Sequence, residues 1–267
     1  YYLGCQKGLF TSIDGTNWAQ HSRFKDTVVE ALAYKDGFLV ASVTYYPPPP
    51  NPPATPGDPV PSIHISIDDG ASFTKKTYPT NGPLTNKLLI ALNGNIYARM
   101  NQMIYKSTDN ANSWSTLNIS GFGNLTVNDI NVDAINANFV YVATNKGLFK
   151  SQDGGSNWLY TKLSYLTQDT LNCRVVNVSN DGRINVIASF SLDIFATNGL
   201  WYSTDSGFTW DSLNTSVTSA DNITLSSDGE SNLFMASNAI HRHFNPANMP
   251  IPEIIGPLDG TKGLTLT

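Results

Sequence analysis

Glutamate is scarce in this chain. Only three of the 267 residues are glutamates, Glu30, Glu230 and Glu253, so a long amphipathic helix has little material from which to form. Charged residues make up 14% of the sequence, against about 25% in a typical soluble domain. Serine, threonine, asparagine and glycine are abundant instead, and this composition favours strands joined by tight turns.

Other absences exclude whole classes of function. The chain has 16 basic and 21 acidic residues, a net charge of −5, which is the wrong balance for a surface that follows nucleic-acid phosphates. No apolar run approaches the ~18 residues of a membrane-spanning helix. The two cysteines do not have the sequence spacing of zinc ligands, and the sequence contains no glycine-rich phosphate-binding loop. We therefore expect no cofactor, no metal, no nucleic-acid partner and no membrane insertion.

The beginning of the chain and its two cysteines bear on its compartment. The sequence opens on Tyr1-Tyr2 without a methionine or a charged leader, which is typical of a processed or trimmed product. Low charge and many hydroxyl side chains favour a secreted or cell-surface protein. Cys5 and Cys173 lie far apart in sequence, and two buried free thiols are favoured over one disulfide.

One octapeptide returns five times along the chain, with the pattern S-x-D-x-G-x-x-[W/F]. The first copy lacks one residue, and the third has alanine in place of glycine. The copies are SIDGTNW at 12–18, SIDDGASF at 66–73, STDNANSW at 107–114, SQDGGSNW at 151–158 and STDSGFTW at 203–210.

The octapeptide has a local structural explanation. Its aspartate can accept hydrogen bonds from the backbone of its own turn, and its glycine supplies a position with positive φ. Its aromatic residue opens the next strand. We therefore predict structural roles for the aspartates, Asp14, Asp68, Asp109, Asp153 and Asp205. The same prediction covers the aromatic residues, Trp18, Phe73, Trp114, Trp158 and Trp210.

Short apolar strands surround the octapeptides in a fixed order. Each octapeptide is preceded by a strand with one small residue at a fixed place, as in Leu39-Val40-Ala41. This strand with its small residue occurs six times. Every copy except the first is preceded by another apolar strand and a turn such as Asn93-Gly94. Each unit is thus a four-stranded meander A-B-C-D, with the octapeptide between C and D. Repeated meanders of this kind predict an all-β, six-bladed β-propeller.

On these octapeptides the chain resembles the Asp-box, or BNR-repeat, β-propellers over residues 1–246. That family includes sialidases, sortilin-type receptors, photosystem assembly factors and secreted bacterial repeat proteins, so the resemblance implies a fold and leaves function open. The first unit lacks strand A and the last lacks a clear strand D. Six blades is the prediction, with seven as the alternative if the chain is trimmed at its N-terminus.

The tail departs from the repeat after residue 246. Residues 247–267 are interpreted as a proline-containing linker followed by the first strand of a truncated fibronectin-III- or immunoglobulin-like module. Such modules often follow propellers in large secreted proteins. The expectation is that this chain is a part of a longer extracellular protein, whose other domains are among its partners.

Catalytic chemistry has little support in the sequence. The resemblance to sialidases implies an arginine triad, but residues 1–13 contain no arginine and the Phe/Tyr-Arg-Ile-Pro motif is absent. Glycosidases of other kinds need two carboxylates about 5–10 Å apart, and the positions of the aspartates along the sequence do not reveal such a pair. His241 and His243 can share one face of a strand, but solvated histidines are the favoured interpretation. No catalytic and no metal-binding residue is assigned.

Two units carry long B–C connections. In unit 2 the connection follows Tyr45 and Tyr46 and holds nine of the 15 prolines, which favour stiff polyproline II structure. In unit 5 it includes Phe190 and Phe195. In such a meander both insertions emerge opposite the octapeptides, either as packing elements or as a contact face for a protein or glycan. The preferred function is a non-catalytic binding or scaffold module, and the alternative is a glycan-active domain.

Overall fold

A computed structural model describes residues 1–47, 58–80, 84–119, 125–163, 171–192, 195–217, 224–227, 233–236, 239–243 and 253–257. The chain divides into two compact units, Tyr1–Asn118 and Ile119–Thr267. Apart from one short 3-10 helix, Ser22–Phe24, the regular elements in these ranges are β-strands. Among these residues, no helix has the length and apolar character needed to cross a membrane.

The first unit contains three antiparallel sheets, and every strand pairs with its sequence neighbours. The first sheet consists of β1 (Tyr2–Cys5), β2 (Gly8–Thr11) and β3 (Ala19–Gln20). The second consists of β4 (Val28–Lys35), β5 (Phe38–Tyr45), β6 (Val60–Ser66) and β7 (Thr74–Lys76). The third consists of β8 (Lys87–Ile90), β9 (Ile96–Met100), β10 (Met103–Ser107) and β11 (Ser115–Leu117).

The second unit contains three sheets of four strands each, again in sequence order. The fourth sheet consists of β12 (Val127–Val132), β13 (Val140–Thr144), β14 (Gly147–Ser151) and β15 (Leu159–Thr161). The fifth consists of β16 (Leu171–Val178), β17 (Ile184–Leu192), β18 (Phe195–Ser203) and β19 (Asp211–Val217). The sixth consists of β20 (Thr224–Ser227), β21 (Leu233–Ala236), β22 (Ala239–His243) and β23 (Glu253–Pro257).

The predicted meander is confirmed, because five sheets have four antiparallel strands and the first lacks its strand A. The turns follow their sequence signals. At Asp36-Gly37 both residues have positive φ, 48° and 83°, as a two-residue hairpin turn requires. The A–B turn and the octapeptide lie at the same end of a sheet, since the Asp69 N–H donates to the Gly37 carbonyl oxygen over 3.1 Å. In each sheet we call this the octapeptide end.

The small residue of each second strand allows neighbouring sheets to pack closely. Ala41, Ala98 and Ala143 are fully buried. A Cβ atom on Gly4 would lie only 2.6 Å from Cγ1 of Val29, in the next sheet. The cores form between sheets, and one cluster joins Val40 of the second sheet to Ala98 of the third. Burial of apolar surface between adjacent sheets is therefore what holds each unit together.

The structure differs from the sequence prediction at the tail. Residues 253–257 were expected to open a following module, whereas β23 pairs with β22 and supplies the fourth strand of the sixth sheet. The predicted boundary after residue 246 thus falls within this sheet. Residues 258–267 lie outside the described ranges, and the downstream module stays a prediction.

Candidate functional site

The octapeptide turns share one hydrogen-bond network. In the fourth copy, the Ser151 hydroxyl donates to Oδ1 of Asp153 over 2.8 Å and accepts from the Gly155 N–H over 2.7 Å. Oδ1 of Asp153 also accepts from the N–H groups of Ser156 and Asn157, and Oδ2 accepts from the Asn157 amide. Each copy repeats this arrangement at its serine and aspartate. The carboxylate oxygens are thus occupied within their own turn.

The backbone of the turn needs two consecutive left-handed residues, one more than the sequence indicated. Ser206 and Gly207 have φ values of 59° and 85°, and Asn110 and Ala111 have 55° and 60°. The first copy, which is one residue shorter, has only Gly15 in this region, at 75°. The deletion that is visible in the sequence therefore removes one of the two left-handed positions.

The same hydrogen bonds hold these carboxyl groups ionised. Bonds from the Ser66 and Ser72 hydroxyls lower the pKa of Asp68 from its ordinary 3.8 to about 2. The Ser113 hydroxyl and N–H do the same to the pKa of Asp109, also to about 2. A carboxylate that accepts several hydrogen bonds is stabilised in its charged form, which makes it a poor proton donor at neutral pH.

The aromatic residues of the octapeptides divide into two kinds. Trp18 and Trp210 donate their indole N–H to the carbonyl oxygens of Gly15 and Gly207 in their own turns, over 3.1 and 3.2 Å. Trp114 instead donates to the Thr77 carbonyl oxygen, just beyond the preceding sheet, over 2.9 Å.

Phe73 is buried and Trp158 is partly buried. The ring of Phe73 packs edge-on against Phe24, with 4.7 Å between centroids. The indole nitrogen of Trp158 is also buried, with no partner among the described residues. The sequence predicted one structural role for all five aromatic residues, and it gave no signal for this division.

The predicted contact residues of unit 2 lie at the opposite end of their sheet. The β5–β6 ladder runs to the pair Tyr45 and Val60, and Tyr45 and Tyr46 are 45% and 42% exposed. Most of the proline-rich connection that follows, residues 48–57, lies outside the described ranges. The structure thus places both tyrosines beside the base of that connection.

The predicted connection of unit 5 is instead a continuation of the sheet. β17 and β18 stay paired to Leu192 and Phe195, with Phe190 opposite Thr197. The prediction that Phe190 and Phe195 lie in a long connection is therefore wrong, because both residues lie on paired strands. Phe190 and Phe195 occupy positions on this extended hairpin.

The other groups singled out in the sequence do not form a metal site in the described part of the chain. There, no three His, Cys, Asp or Glu side chains lie close enough to hold a metal ion. Cys5 and Cys173 are free thiols, and burial raises the pKa of Cys173. His241 and His243 lie on β22.

A cleft that the sequence did not reveal lies at the octapeptide end of the first unit. It has a volume of about 960 Å³ and lies between the first two octapeptide turns. Its lining residues include Tyr1, Tyr2, Ile13, Tyr34 and Asp69. These residues come from the start of the chain, two strands and two turns, so only the folded sheets bring them together.

Comparisons with known proteins identify the fold class. No protein-family profile and no curated sequence matches this chain. Among solved structures, the chain is similar to an ancestral GH74 enzyme, with a TM-score of 0.67 and 16% identity over 96% of this chain and 37% of that protein. This chain thus spans little more than a third of that enzyme.

Two further similarities point to the same architecture. One is to YCF48 bound to D1 peptide, with a TM-score of 0.56 and 14% identity over 90% of this chain and 73% of the other. Another is to the extracellular domain of a putative hybrid two-component system from B. thetaiotaomicron, with a TM-score of 0.55 and 13% identity over 88% and 29%. These neighbours are β-propeller proteins. At such identities the likeness shows the fold alone: a nearly all-β chain of four-stranded antiparallel sheets of the propeller type.

Proposed function

We propose that this chain is a non-catalytic binding or scaffold module of a larger extracellular protein. In this proposal it is a six-bladed β-propeller whose octapeptides are Asp boxes that stabilise turns. A partner, protein or glycan, contacts the ends of the sheets that carry the B–C connections.

The observation that carries the proposal is the unequal length of those B–C connections. Strands B and C are joined by only two residues in the first, third and fourth sheets, at 6–7, 101–102 and 145–146. In the second sheet, 14 residues separate β5 from β6, and in the fifth the hairpin extends to Leu192 and Phe195. Because two residues suffice for the fold, the added length serves another purpose.

The chemistry of the second-sheet connection suits a contact element. Exposed Tyr45 and Tyr46 offer large, rigid rings with a polar end, which are common anchors of binding sites. The prolines restrict the unbound chain, so less conformational entropy is lost on binding. Similarity to the extracellular domain of another protein supports the proposed extracellular location, and similarity to a peptide-bound propeller supports the proposed binding role.

A glycan-active enzyme is the second candidate, because one structural neighbour is a GH74 enzyme. The described aspartates of β12 and its turn do not favour it. Asp133 accepts hydrogen bonds on both carboxylate oxygens, from Ile135, Asn136 and Tyr141, and Asp129 accepts from the Val176 N–H. Both are buried. We expect no turnover of chromogenic sialosides or β-glucans, and turnover abolished by a single Asp or Glu substitution would overturn the non-catalytic assignment.

The binding role is tested with ligands selected for the wild-type chain from a displayed random-peptide library and from a glycan array. Each ligand is then titrated against the Tyr45→Ala/Tyr46→Ala double variant. Ile67→Ala is the matched control, since Ile67 is 79% exposed at the octapeptide end of the same sheet. We expect affinity at least tenfold lower for the double variant and unchanged for the control. Equal binding to all three proteins would contradict the proposal.

A further inference from the structure

The cleft between the first two octapeptide turns is a second candidate binding site, at the end of the sheets opposite Tyr45 and Tyr46. Its volume of about 960 Å³ is within the size range of small-molecule sites. It lies wholly within the first unit, between the turn at 12–18 and the turn at 66–73. None of the described residues of the B–C connections lines it.

A fixed aromatic surface forms one side of this cleft. The rings of Tyr2 and Tyr34 lie 5.2 Å apart at an interplanar angle of 33°, and Tyr34 is 50% exposed. The Tyr2 hydroxyl donates to the backbone oxygen and to Oδ1 of Asp69, over 2.7 and 2.8 Å. These two contacts hold the Tyr2 ring in place before any ligand arrives, which reduces the entropy lost on binding.

The backbone of the second turn is shaped to accept that ring. Gly70 has a φ of 77°, and a Cβ atom built on it would lie 2.9 Å from Cε1 of Tyr2. Asp69, the residue before it, also has positive φ, at 58°. The pair of left-handed residues thus turns the Asp69 carbonyl oxygen toward the first sheet and leaves room for the tyrosine.

The lining combines aromatic faces with uncharged polar groups. Ser12, Thr11 and Asn17 border the cleft, and Asp69 is its one carboxylate. Among the described residues that line it, none is lysine or arginine. His21 is the one basic side chain in the lining, and the Asp69 carboxylate would repel an anionic ligand, so the cleft favours a neutral ligand over acidic sugars, phosphates and acidic peptides.

We propose that this cleft binds a neutral oligosaccharide. The apolar C–H face of a pyranose ring stacks on an aromatic ring, and sugar hydroxyls bond to carboxylate, amide and hydroxyl groups. Tyr2 and Tyr34 supply the stacking surface, and Asp69, Asn17 and Ser12 border it with polar groups. This site is independent of the partner contact proposed for the B–C ends.

The test titrates the full 267-residue chain with cellotetraose, maltotetraose and mannotetraose, and with sialyllactose as the acidic comparison, by calorimetry and saturation-transfer NMR. We expect at least one neutral tetrasaccharide to bind and sialyllactose not to bind. Tyr34→Ala should weaken binding at least tenfold, whereas Tyr34→Phe, which keeps the ring, should restore most of it. Ile67→Ala and Tyr45→Ala/Tyr46→Ala should leave it unchanged.

Three outcomes would overturn this inference. They are the absence of binding by all three neutral sugars, binding that Tyr34→Ala does not weaken, and preferential binding of sialyllactose. Circular dichroism of Tyr34→Ala establishes that the variant is folded. Because Tyr45 and Tyr46 lie outside the cleft, sugar binding that disappears only in their double variant would instead support the B–C contact.

Discussion

Lys150 donates a hydrogen bond from Nζ to the carbonyl oxygen of Ser206 over 2.7 Å, and so links the fourth sheet to the octapeptide turn of the fifth. Ser206 is the first of the two left-handed residues of that turn. In the first unit, the Tyr2 hydroxyl makes the same kind of bond to Asp69, which holds the corresponding turn position. The left-handed pair therefore presents a carbonyl oxygen to the preceding sheet.

Loss of this link is expected to destabilise the second unit. Lys150 is buried, and its Nζ lies 4.0 Å from the centroid of the Phe139 ring. Burial lowers the pKa of Lys150, while Asp133 and Asp205 oppose that shift. Lys150→Met keeps the side-chain volume and removes a charged hydrogen bond, which costs about 1.5–3 kcal/mol. Urea denaturation of the full chain measures the change.

Lys106→Met is the matched control for that variant. Lys106 precedes its octapeptide as Lys150 does, and its Nζ lies 5.7 Å from the centroid of the Tyr97 ring. It is more exposed than Lys150, so its loss should cost less. An equal effect of the two substitutions would show that the contact with Ser206 is not the source of the stability.

Ser151→Ala tests the hydrogen-bond network of the fourth octapeptide by removing its buried serine hydroxyl. The Ser151 side chain is fully buried and is the acceptor for the Gly155 N–H. Its removal leaves that N–H without a partner and takes a donor from Asp153, at a cost of about 1–3 kcal/mol. Thermal unfolding measures the loss, and ligand affinity at the B–C ends should not change. Lost binding with an unchanged melting temperature, in this variant or in Asp153→Ala, would contradict the structural role.

Much of this architecture can be predicted from the sequence, because its signals are local. Asp36-Gly37 and Asn93-Gly94 specify their turns through positive φ at Asp36, Gly37 and Gly94 and through a bond within the turn from the Asn95 N–H to Oδ1 of Asn93. The serine and aspartate of each octapeptide form their hydrogen bonds within eight residues. Ala41 and the equivalent small residues of the other second strands indicate where neighbouring sheets approach closely, because a larger side chain would not fit there.

The remaining features depend on contacts between distant residues. Nothing near Lys150 in sequence indicates that it reaches Ser206, 56 positions later. The cleft at Tyr2 and Tyr34 exists only once the first two sheets pack together. Residues 189–192 alternate polar and apolar side chains as a strand does, but nothing in the local sequence shows that they continue β17 and pair with β18.

His64 is expected to make the first unit sensitive to mild acid. Burial, with the positive charges of Arg23 and Lys75, lowers the pKa of His64 from its ordinary 6.5 to about 4. Its Nε2 lies 3.1 Å from the Ser62 hydroxyl. A depressed pKa favours the neutral ring in the folded state, so its contribution to stability is complete above pH 6.5 and is lost as the pH falls toward 4.

The melting temperature should therefore fall in two stages on acidification. The first, between pH 6.5 and 4, belongs to His64 and should be reduced in His64→Gln. The second, between pH 4 and 2, belongs to carboxylates such as Asp68, whose pKa of about 2 lies below its ordinary value, and should remain in the variant. An unchanged decline above pH 4 in His64→Gln would rule out this role.

The central claim is that the partner contact of the proposed function lies at the B–C ends, separate from the cleft proposed to bind a neutral oligosaccharide, and deletion of the proline-rich connection tests it most directly. Residues 46–59 are removed and Tyr45 is joined to Val60 by Asn-Gly, so that two residues connect the strands, as two residues join strands B and C in the first, third and fourth sheets. Ligands selected on the wild-type chain are then titrated, and thermal unfolding is followed in parallel. The account predicts a nearly unchanged melting temperature and affinity reduced at least tenfold. Full binding by the shortened chain, or its failure to fold, would contradict it.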